Sequence, residues 1–190
     1  SLPNIEQTDG EYYPKTLLNQ FNEEMVKMEY LRTLAERDGL TGLVNYRTFQ
    51  ERCKHYVDAN PSCWLFIIDV DKFKEINDTF GHMSGNRVLK KMAMTLNNMV
   101  RSSDIVCRMG GDEFVLLCSG IANEEQARTF TQRIKKAMAD AGKGEKAWTS
   151  IPIGKARLSA ADKLEDIIEA ADADLYHDKK NNRQSLSQSI

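Results

Sequence analysis

Acidic residues at the ends of predicted strands are the part of this sequence that could do chemistry. Asp69 closes an almost continuous apolar run over residues 63–70, which is typical of a buried strand that tolerates little charge. Asp112 and Glu113 follow a pair of glycines between two short apolar strands, a pattern that predicts a hairpin tip. If the hairpin lies beside the buried strand, three carboxylates share one end of a sheet, and a cation is needed to offset their repulsion. Hard oxygen ligands of this kind suit Mg²⁺ or Mn²⁺ bound to phosphate oxygens.

An ordinary surface turn is the competing interpretation of these carboxylates, because Asp and Gly are common in hairpins and Asp often ends a strand. A bound triphosphate would also require cations. Lys74, Lys179 and Arg183 are the candidates, although each by itself is typical of a solvated surface charge. The spacing of these residues leaves metal binding and a simple surface turn both open.

The composition is that of a globular protein with one domain and a short appendage. Of 190 residues, 41% are hydrophobic and 28% are charged, which is enough apolar material for a real core. The net charge of −2, with both signs interspersed, argues against a polynucleotide partner, which normally needs a basic face, but leaves a single nucleotide open. The apolar runs are far too short to span a bilayer, so we expect no membrane contact by this segment.

Cysteine usage indicates the compartment. The spacing of the four cysteines does not match a zinc site, and we expect no signal peptide before them; they are Cys53, Cys63, Cys107 and Cys118. We therefore expect reduced thiols in a cytoplasmic protein, or in the cytoplasmic part of a larger membrane-bound sensor.

The N-terminal region is predicted to be an irregular lead-in over residues 1–15, followed by an amphipathic helix over 16–36. Apolar residues recur in the helix at spacings of three and four, at Leu18, Phe21, Met25, Met28, Leu31 and Leu34. Such a helix either packs on its own domain or forms a short coiled-coil stalk that pairs with a second copy. The pattern is too short and irregular to decide between these two structures.

Helices and strands alternate through the rest of the chain. Asn45 is predicted to cap a helix over 45–57. The remaining patterns predict a strand over 63–70, a helix over 84–100, strands over 105–109 and 114–118, a helix over 124–140, a strand near 148–153 and a helix over 160–180. The Ser- and Gln-rich residues 184–190 are expected to be disordered. This order predicts an α/β (α+β) fold with helices on a largely antiparallel sheet.

A known family matches several blocks of this sequence. Residues 108–114 read RMGGDEF and contain an intact GGDEF motif. The other blocks are DGLTGLVN at 38–45, DVDKFKEIND at 69–78 and ADADLY at 171–176, which Lys179 and Arg183 follow. On these motifs the chain resembles the diguanylate cyclase (GGDEF) domain family over residues 38–183, because ordered blocks at the right separations are a specific signal.

The resemblance implies a fold, a domain organisation and a reaction. The fold would be palm-like, as in nucleotide cyclases and polymerases, with a central, mostly antiparallel sheet flanked by helices and an amphipathic linker helix before it. The lead-in and the linker or stalk helix would occupy residues 1–37, the cyclase domain 38–184 and a disordered tail 185–190. The reaction would join two GTP into cyclic di-GMP and release two pyrophosphates.

The resemblance also assigns roles to the acidic residues. Asp69, the backbone carbonyl of Val70, Asp112 and Glu113 would hold Mg²⁺ or Mn²⁺. The three acidic side chains would form the catalytic set, with Glu113 either a further metal ligand or the group that helps to deprotonate the 3′-hydroxyl. The metal ions would lower the pKa of that hydroxyl and neutralise the leaving pyrophosphate.

A second group of residues would bind the nucleotide, again by resemblance. The three cations of this group would hold the β- and γ-phosphates, and the two glycines would let the backbone pass close to them. The asparagines would face the base, and the phenylalanine ring is more typical of core than of a contact. The group comprises Lys74, Asn77, Asn86, Phe73, Gly110, Gly111, Lys179 and Arg183.

Pairing and feedback are implied as well. One domain holds one triphosphate, so two domains must meet face to face in a homodimer. The helix over 16–36 would join the two chains and relay the state of an upstream sensory domain in the full-length protein.

Arg101 and Asp104 form an RxxD motif shortly before Gly110, at the offset of the family's inhibitory site for cyclic di-GMP. We therefore expect product inhibition.

Three positions depart from the family pattern. Asn182 replaces a Gly before Arg183, which is tolerable because Asn also adopts left-handed geometry. Pro152 replaces a Ser and predicts an edge strand or a bulge. Asn86 replaces an Asp whose carboxylate accepts from guanine N1–H and N2–H₂, whereas an amide offers one acceptor and one donor, which matches the N1 and N6 groups of adenine. One hypothesis is relaxed selectivity, with ATP use and a mixed or adenine-containing product. The other is a continued preference for guanine through a shifted side chain or a bridging water.

A non-catalytic module that binds GTP or a cyclic dinucleotide is the competing function. Such modules of the resembled family have usually lost the carboxylates of the motif. Asp69, Asp112 and Glu113 are all present here, which favours an enzyme. A purely structural dimerisation module is a third possibility and would require the acidic residues to bind no metal.

Overall fold

The structure of the chain is a computed structural model that describes residues 5–8, 11–60 and 62–187, with the side chains of residues 15–60 and 62–180. The chain divides into two compact units, Ser1–Arg37 and Asp38–Ile190. Within the described ranges, no helix combines the length and the apolar character that crossing a bilayer requires.

The first unit is a strand pair followed by one long helix. Strands β1 (Ile5–Thr8) and β2 (Glu11–Pro14) pair antiparallel, so the prediction of an irregular lead-in is wrong for these residues. Backbone hydrogen bonding forms this pair, and side-chain periodicity does not reveal it. Helix α1 (Lys15–Glu36) confirms the predicted helix. All of α1 is described and none of it is buried; its exposed large apolar residues are Leu17, Phe21, Met25, Val26, Met28, Tyr30, Leu31 and Leu34.

The second unit is a five-stranded sheet with helices on both faces. In chain order its elements are β3 (Val44–Asn45), α2 (Tyr46–Ala59), β4 (Cys63–Asp69), α3 (Phe73–Phe80), α4 (His82–Met99), β5 (Ile105–Gly110), β6 (Glu113–Ser119), α5 (Glu124–Ala141), β7 (Ile153–Leu158) and α6 (Leu164–Ser187). The strands lie in the order β3-β5-β6-β4-β7. The β3–β5 pair is parallel and the other neighbouring pairs are antiparallel. The predicted α/β fold with a largely antiparallel sheet is therefore confirmed.

Strand β4 is apolar because both faces of the sheet are covered. All of its residues are buried, and alternate side chains point to opposite faces. One set packs with residues of α4 and α5 and consists of Trp64, Phe66 and Ile68. The other packs with residues of α2 and α6 and consists of Cys63, Leu65 and Ile67. A slip of one residue would exchange the two sets, so packing fixes the register of β4 and the position of Asp69 at its end.

The cysteines belong to this core. All four are free and buried, which agrees with the predicted reduced thiols. Burial is the main cause that raises the pKa of Cys53 and of Cys63 to about 11. Their reactive thiolate forms are therefore scarce at neutral pH.

One helix and the start of one strand, both near the end of β4, differ from the sequence-based prediction. Helix α3 has eight residues and is too short for a clear helical period, so the patterns do not predict it. The last strand begins at Ile153 rather than near residue 148, because Pro152 has no N–H to donate to a ladder. The chain before β7 still follows β4: Asp69 N donates to the Pro152 carbonyl at 3.2 Å and Asp71 N to the Ser150 carbonyl at 3.1 Å.

The last helix is shifted along the sequence relative to its prediction. Helix α6 begins at Leu164 and continues to Ser187, past the predicted end at residue 180. The expected disorder is therefore wrong for residues 184–187, and residues 188–190 lie outside the described part of the chain. A low apolar content did not stop the helix, because a helix already docked on a sheet extends at little cost per residue.

Gly154 allows α6 to pack directly on β7, the last strand on its side of the sheet. A Cβ atom placed on Gly154 would lie 2.0 Å from the carbonyl oxygen of Ala171 and 2.4 Å from the backbone nitrogen of Leu175. Both atoms belong to the helix backbone and cannot rotate away. Helix α6 thus covers an edge strand, the position that Pro152 predicted.

Gly154→Ala is expected to lower the free energy of unfolding by about 2–3 kcal/mol or to prevent folding, because the added methyl group meets backbone atoms. Gly39→Ala is the matched control, since no heavy atom of the described chain outside its immediate neighbours lies within 4 Å of a Cβ there. Urea denaturation of both variants measures the difference. Equal stabilities would contradict the packing of α6 on Gly154.

Candidate active site

Asp69 and Glu113 stand opposite each other at one end of the sheet. The antiparallel register of β4 and β6 pairs the two residues directly, and Cβ atoms of opposed residues in such a pair lie about 4.5–5.5 Å apart. Asp69 is only 8% exposed, and Glu113 is partly buried. The hairpin therefore lies beside the buried strand, which is the geometry that a shared carboxylate site requires.

Two glycines shape the hairpin tip that carries Asp112. Gly110 and Gly111 have φ angles of 152° and 54°, which side chains with a Cβ rarely adopt. A β-bulge lies just before Gly110 and turns the tip relative to the ladder. The result is that Asp112 comes close enough to raise the pKa of both Asp69 and Glu113.

Burial and neighbouring carboxylates disfavour the charged forms of Asp69 and Glu113. Burial is the largest influence that raises the pKa of Asp69; Asp112 and Asp71 raise it further, and the ammonium of Lys179 opposes them. Burial also raises the pKa of Glu113, and Asp69 is the strongest of the charges that add to this effect. A positive charge placed among these groups would relieve the repulsion, because each carboxylate gains an opposite charge within a few ångströms.

Asp172 of α6 joins this group, although the sequence analysis did not name it as a site residue. Its negative charge raises the pKa of Glu113, and its own pKa is raised by burial while Lys179 lowers it. The signal that could have found it is a spacing of seven residues, which places Asp172 and Lys179 on the same face of a helix.

Lys179 supplies the positive charge in the structure. Its Nζ lies 3.1 Å from Asp69 Oδ1, and both side chains are largely buried. The resemblance assigned Lys179 to phosphates, so the geometry adds a second partner for this residue. Of the two other cations of that set, Lys74 is exposed on α3, and the side chain of Arg183 lies outside the described part of the chain.

The residues at the strand end fit a hard divalent cation by chemistry but are not gathered around one point. Across the described residues, no group of three or more His, Cys, Asp or Glu side chains is arranged to hold a metal ion. The available donors are carboxylate oxygens and the backbone carbonyl of Val70, the ligand types that Mg²⁺ and Mn²⁺ prefer. The ammonium of Lys179 lies 3.1 Å from one of the Asp69 oxygens.

The turn after β4 leads directly from this site into α3. Lys72 has a φ of 57°, a left-handed conformation that is unfavourable for a residue with a Cβ. Phe73 N donates to the Val70 carbonyl at 3.3 Å, and the Ser150 hydroxyl donates to Asp71 Oδ2 at 3.1 Å. These contacts hold the strained turn and place the start of α3 beside Asp69.

The asparagines assigned to the base lie where α3 meets α4. A Cβ on Gly85 would be 2.0 Å from Asn77 Oδ1 and 3.1 Å from the Phe73 ring, so the missing side chain of Gly85 makes room for both. Phe73 is also packed against the core, in line with the expectation for its ring. Asn86 follows Gly85 and is exposed. The structure therefore brings Phe73, Asn77 and Asn86 to one helix junction.

Arg108 ties the glycine hairpin to the start of the domain. Its Nε and Nη2 donate to the carbonyl of Gly111 at 3.1 and 2.6 Å, and its Nη1 donates to both carboxylate oxygens of Asp38 at 3.0 and 3.2 Å. Asp38 also accepts from the Thr41 hydroxyl and backbone N–H at 2.6 and 2.9 Å. A charged, partly buried fork of this kind holds a loop more firmly than neutral hydrogen bonds do.

Arg101 and Asp104 lie at a separate groove of about 510 Å³, which α5 and the end of β6 also line. Asp104 accepts from the Tyr56 hydroxyl at 2.8 Å, from Arg101 N at 3.0 Å and from Ser119 N at 3.3 Å. Its carboxylate therefore fixes the turn itself. The side chain of Arg101 is exposed at the rim, and so is that of Arg133 on α5.

Comparison with known proteins places the chain in a family. The family described as Diguanylate cyclase, GGDEF domain matches residues 35–185. Diguanylate cyclase DosC of Escherichia coli (strain K12) is 37% identical over 178 residues, which are 90% of this chain and 38% of DosC. The GGDEF domain of PA1120 from Pseudomonas aeruginosa is 35% identical, with a TM-score of 0.68 over 76% of this chain and 89% of that domain.

A further structure shows the same fold at lower identity. The coiled coil and GGDEF domain of DgcB from Caulobacter crescentus, in complex with c-di-GMP, has a TM-score of 0.76 at 22% identity and covers 88% of this chain and 92% of that one. The chain belongs to the diguanylate cyclase GGDEF domain family. The resemblance that the motifs indicate and the palm-like fold are both confirmed. The chain spans little more than a third of the length of DosC.

Asp38→Asn is expected to reduce the loss of stability on acidification. Burial opposes ionisation of Asp38, but hydrogen bonds from Thr41 and the charge of Arg108 outweigh it and hold the pKa below its ordinary value. A lowered folded-state pKa stabilises the fold above the unfolded pKa of about 3.9, and this contribution disappears as pH falls through the folded pKa. The variant lacks this contribution, so its free energy of unfolding falls less between about pH 6 and pH 3.

Urea denaturation at a series of pH values measures this difference. Asp58→Asn, at an exposed position of α2, is the control for the loss of one carboxylate. An acid-induced loss in Asp38→Asn as large as in the unmodified chain would show that the contacts of Asp38 with Thr41 and Arg108 do not lower its pKa.

Proposed function

We propose that the chain synthesises cyclic di-GMP from two molecules of GTP with release of two pyrophosphates, using Mg²⁺ or Mn²⁺. The observation that carries the proposal is the direct pairing of Asp69 with Glu113, with Asp112 on the adjoining glycine hairpin. The name of DosC, diguanylate cyclase, supports the same chemistry for this chain.

The acidic residues would act on the attacking oxygen and on the leaving pyrophosphate of one displacement reaction. The 3′-oxygen of one GTP bonds to the α-phosphorus of the other, and the bond from that phosphorus to the pyrophosphate oxygen breaks. Glu113 would accept the hydroxyl proton; burial and the neighbouring carboxylates raise its pKa, which would make it a better base. Divalent ions held by Asp69, Asp112 and the Val70 carbonyl would supply charge stabilisation for the attacking oxygen and the leaving pyrophosphate.

Lys179 would change partners when substrate binds. Lys179, whose Nζ lies 3.1 Å from Asp69 in the structure, would lose part of this attraction if Asp69 held a cation and would turn to the negative charge of the phosphates. Lys74 and Arg183 would add to this grip on the β- and γ-phosphates. The strained glycines of the hairpin would leave room for the phosphates beside the backbone.

The reaction requires two domains, and α1 offers a means of pairing them. Its apolar residues are exposed along one helix, at Phe21, Met25, Met28, Leu31 and Leu34. The structure of DgcB includes a coiled coil beside its GGDEF domain, which supports a stalk of two such helices here. The greater length of DosC agrees with a further sensory region that controls pairing through this stalk.

Product inhibition is the second part of the proposal. Cyclic di-GMP would bind at the groove beside β6, where the exposed guanidinium of Arg101 is available for a phosphate or a guanine. Asp104 would act chiefly by holding the turn, because its oxygens already accept from Tyr56, Ser119 and Arg101. The DgcB structure in complex with c-di-GMP supports this ligand class.

Asp69→Asn and Glu113→Gln are each expected to lower the rate of pyrophosphate release from GTP and Mg²⁺ by more than about 100-fold, because each removes a charge that the transition state requires. Chelation of the metal is expected to abolish release, and added Mg²⁺ or Mn²⁺ to restore it. Glu125→Gln is the control: this exposed residue lies in the first turn of α5, which follows the far end of β6. Tight GTP binding by the unmodified chain without pyrophosphate release would favour the non-catalytic binding module.

Asn86 makes relaxed base selectivity a second candidate, because the residue is exposed beside Asn77 at the α3–α4 junction. Asn86→Asp is expected to raise the ratio of kcat/KM for GTP over ATP by about ten-fold, since a carboxylate accepts from both guanine donors. Asn97→Asp makes the same change at another exposed position of α4 and should leave the ratio unchanged. Turnover of GTP alone by the unmodified chain, with no ATP incorporated from a mixture, would end this candidate.

A further inference from the structure

Two carboxylates of α6 bind the free edge of β7 through its backbone. Ile153 N donates to Asp178 Oδ2 at 2.9 Å, and Lys155 N donates to Asp174 Oδ2 at 2.9 Å. Neither aspartate is among the site residues that the sequence patterns predict. Because β7 is the outermost strand on its side of the sheet, N–H groups on that side have no neighbouring strand of the described sheet to accept them. The two aspartates therefore act as the edge partner of β7.

The spacing of these residues makes the arrangement possible. Ile153 and Lys155 are two apart in a strand, so their N–H groups point to the same side. Asp174 and Asp178 are four apart in a helix, so their side chains lie one above the other on one face. Gly154 lies between the two donors and allows the helix backbone to approach, because a Cβ there would collide with it. Strand, glycine and helix thus form one clamp, which we call the α6 clamp.

Lysines neutralise the two carboxylates of the α6 clamp. Lys135 Nζ of α5 lies 2.5 Å from the other oxygen of Asp178. Lys155 Nζ lies 3.5 Å from Asp174 Oδ2 and 2.9 Å from Glu124 Oε1. Two carboxylates four residues apart in a helix repel each other, and these cations offset the repulsion. The side chain of Lys155 is 16% exposed, but those of Asp174 and Glu124 are 41% and 69% exposed, so solvent weakens these ion pairs.

A residue of the α6 clamp is followed directly in the chain by a residue of the proposed active site. Lys179 follows Asp178 in α6, and its Nζ lies 3.1 Å from Asp69 Oδ1. A helix is a rigid element, so the anchoring of Asp178 sets how far along the sheet the next side chain reaches. The opposite end of the same contact is also fixed, because packing holds Asp69 at the end of β4.

We propose that Asp174 and Asp178 are positioning residues for the reaction: by binding the backbone edge of β7, they hold α6 at the position from which Lys179 reaches Asp69 and the triphosphate. This inference rests on the proposed function, because it assigns to Lys179 a role with phosphates. A clamp that only protects the sheet edge would predict different kinetics. The loss of such a clamp would lower the fraction of folded protein and leave the KM for GTP unchanged.

Three variants test the α6 clamp in the full chain with GTP and Mg²⁺. Asp178→Ala removes both contacts of that carboxylate. Asp178→Asn keeps an acceptor for Ile153 N but loses the charge that faces Lys135. Asp174→Ala removes the acceptor of Lys155 N. The control is Glu169→Ala, at an exposed position of the same helix.

Asp178→Ala is expected to raise the KM for GTP about ten-fold and to leave kcat within about two-fold of the unmodified value. This pattern indicates the loss of binding that the ground state and the transition state share. A ten-fold change corresponds to about 1.4 kcal/mol, which is the size of one charge-assisted hydrogen bond. Asp178→Asn should stay within about five-fold of the unmodified KM, because a partly exposed ion pair contributes little. Hydrogen exchange at Ile153 N and Lys155 N should be at least about ten-fold faster in the alanine variant that lacks its acceptor. Glu169→Ala should change none of these quantities.

The dissociation constant of a non-hydrolysable GTP analogue with Mg²⁺ separates this inference from the proposed function. Binding without turnover by the unmodified chain would contradict the cyclase proposal, yet about ten-fold weaker binding by Asp178→Ala would still support the positioning role. Unchanged KM and affinity in Asp178→Ala, with faster exchange and less folded protein, would overturn the positioning role and leave only edge protection. Unchanged exchange at Ile153 N would overturn the α6 clamp itself.

Discussion

Repulsion among carboxylates at the end of β4 is the constraint on which the rest of this structure depends. Packing on both faces of the sheet fixes the register of β4, and that register places Asp69 opposite Glu113. Burial and the neighbouring charges of Asp112 and Asp172 then disfavour ionisation in this group. Groups of like charge persist in such a place only when a cation is at hand. Lys179 is that cation in the structure, and metal-bound triphosphate would be its replacement in the proposed reaction.

The elements around the site hold its parts in place from three directions. Arg108 links the glycine hairpin to Asp38 at the start of the domain. The strained turn at Lys72 brings α3 beside the end of β4. Helix α6 is fixed to the edge of β7, so that Lys179 meets Asp69 from the other side. Each support consists of short contacts to backbone atoms or between charges, which tolerate less displacement than apolar packing does.

Several parts of the fold follow from patterns in the chain, and the exceptions have identifiable causes. The amphipathic helices and the buried strand β4 are long enough for their periods to be read. Helix α3 is too short for a period, and the β1–β2 pair forms by backbone hydrogen bonds that side chains do not announce. The start of β7 is displaced because Pro152 cannot donate to a ladder, although the carbonyls of Pro152 and Ser150 still accept from Asp69 N and Asp71 N. Asp172 lies seven residues from Lys179 on the same helix face, but this spacing indicates a shared site only when the neighbours of that helix are known.

The sequence by itself determined the family, the layer fold and the acidic residues at the strand end, because motif order, apolar runs and paired glycines are local properties of the chain. The tertiary structure alone decided which charges meet. It paired Lys179 with Asp69, added Asp172 to the carboxylates, and gave the N–H groups of β7 to Asp174 and Asp178. These contacts join residues far apart in the sequence, and their energies depend on distance and burial. Neither quantity exists until the sheet has brought the segments together.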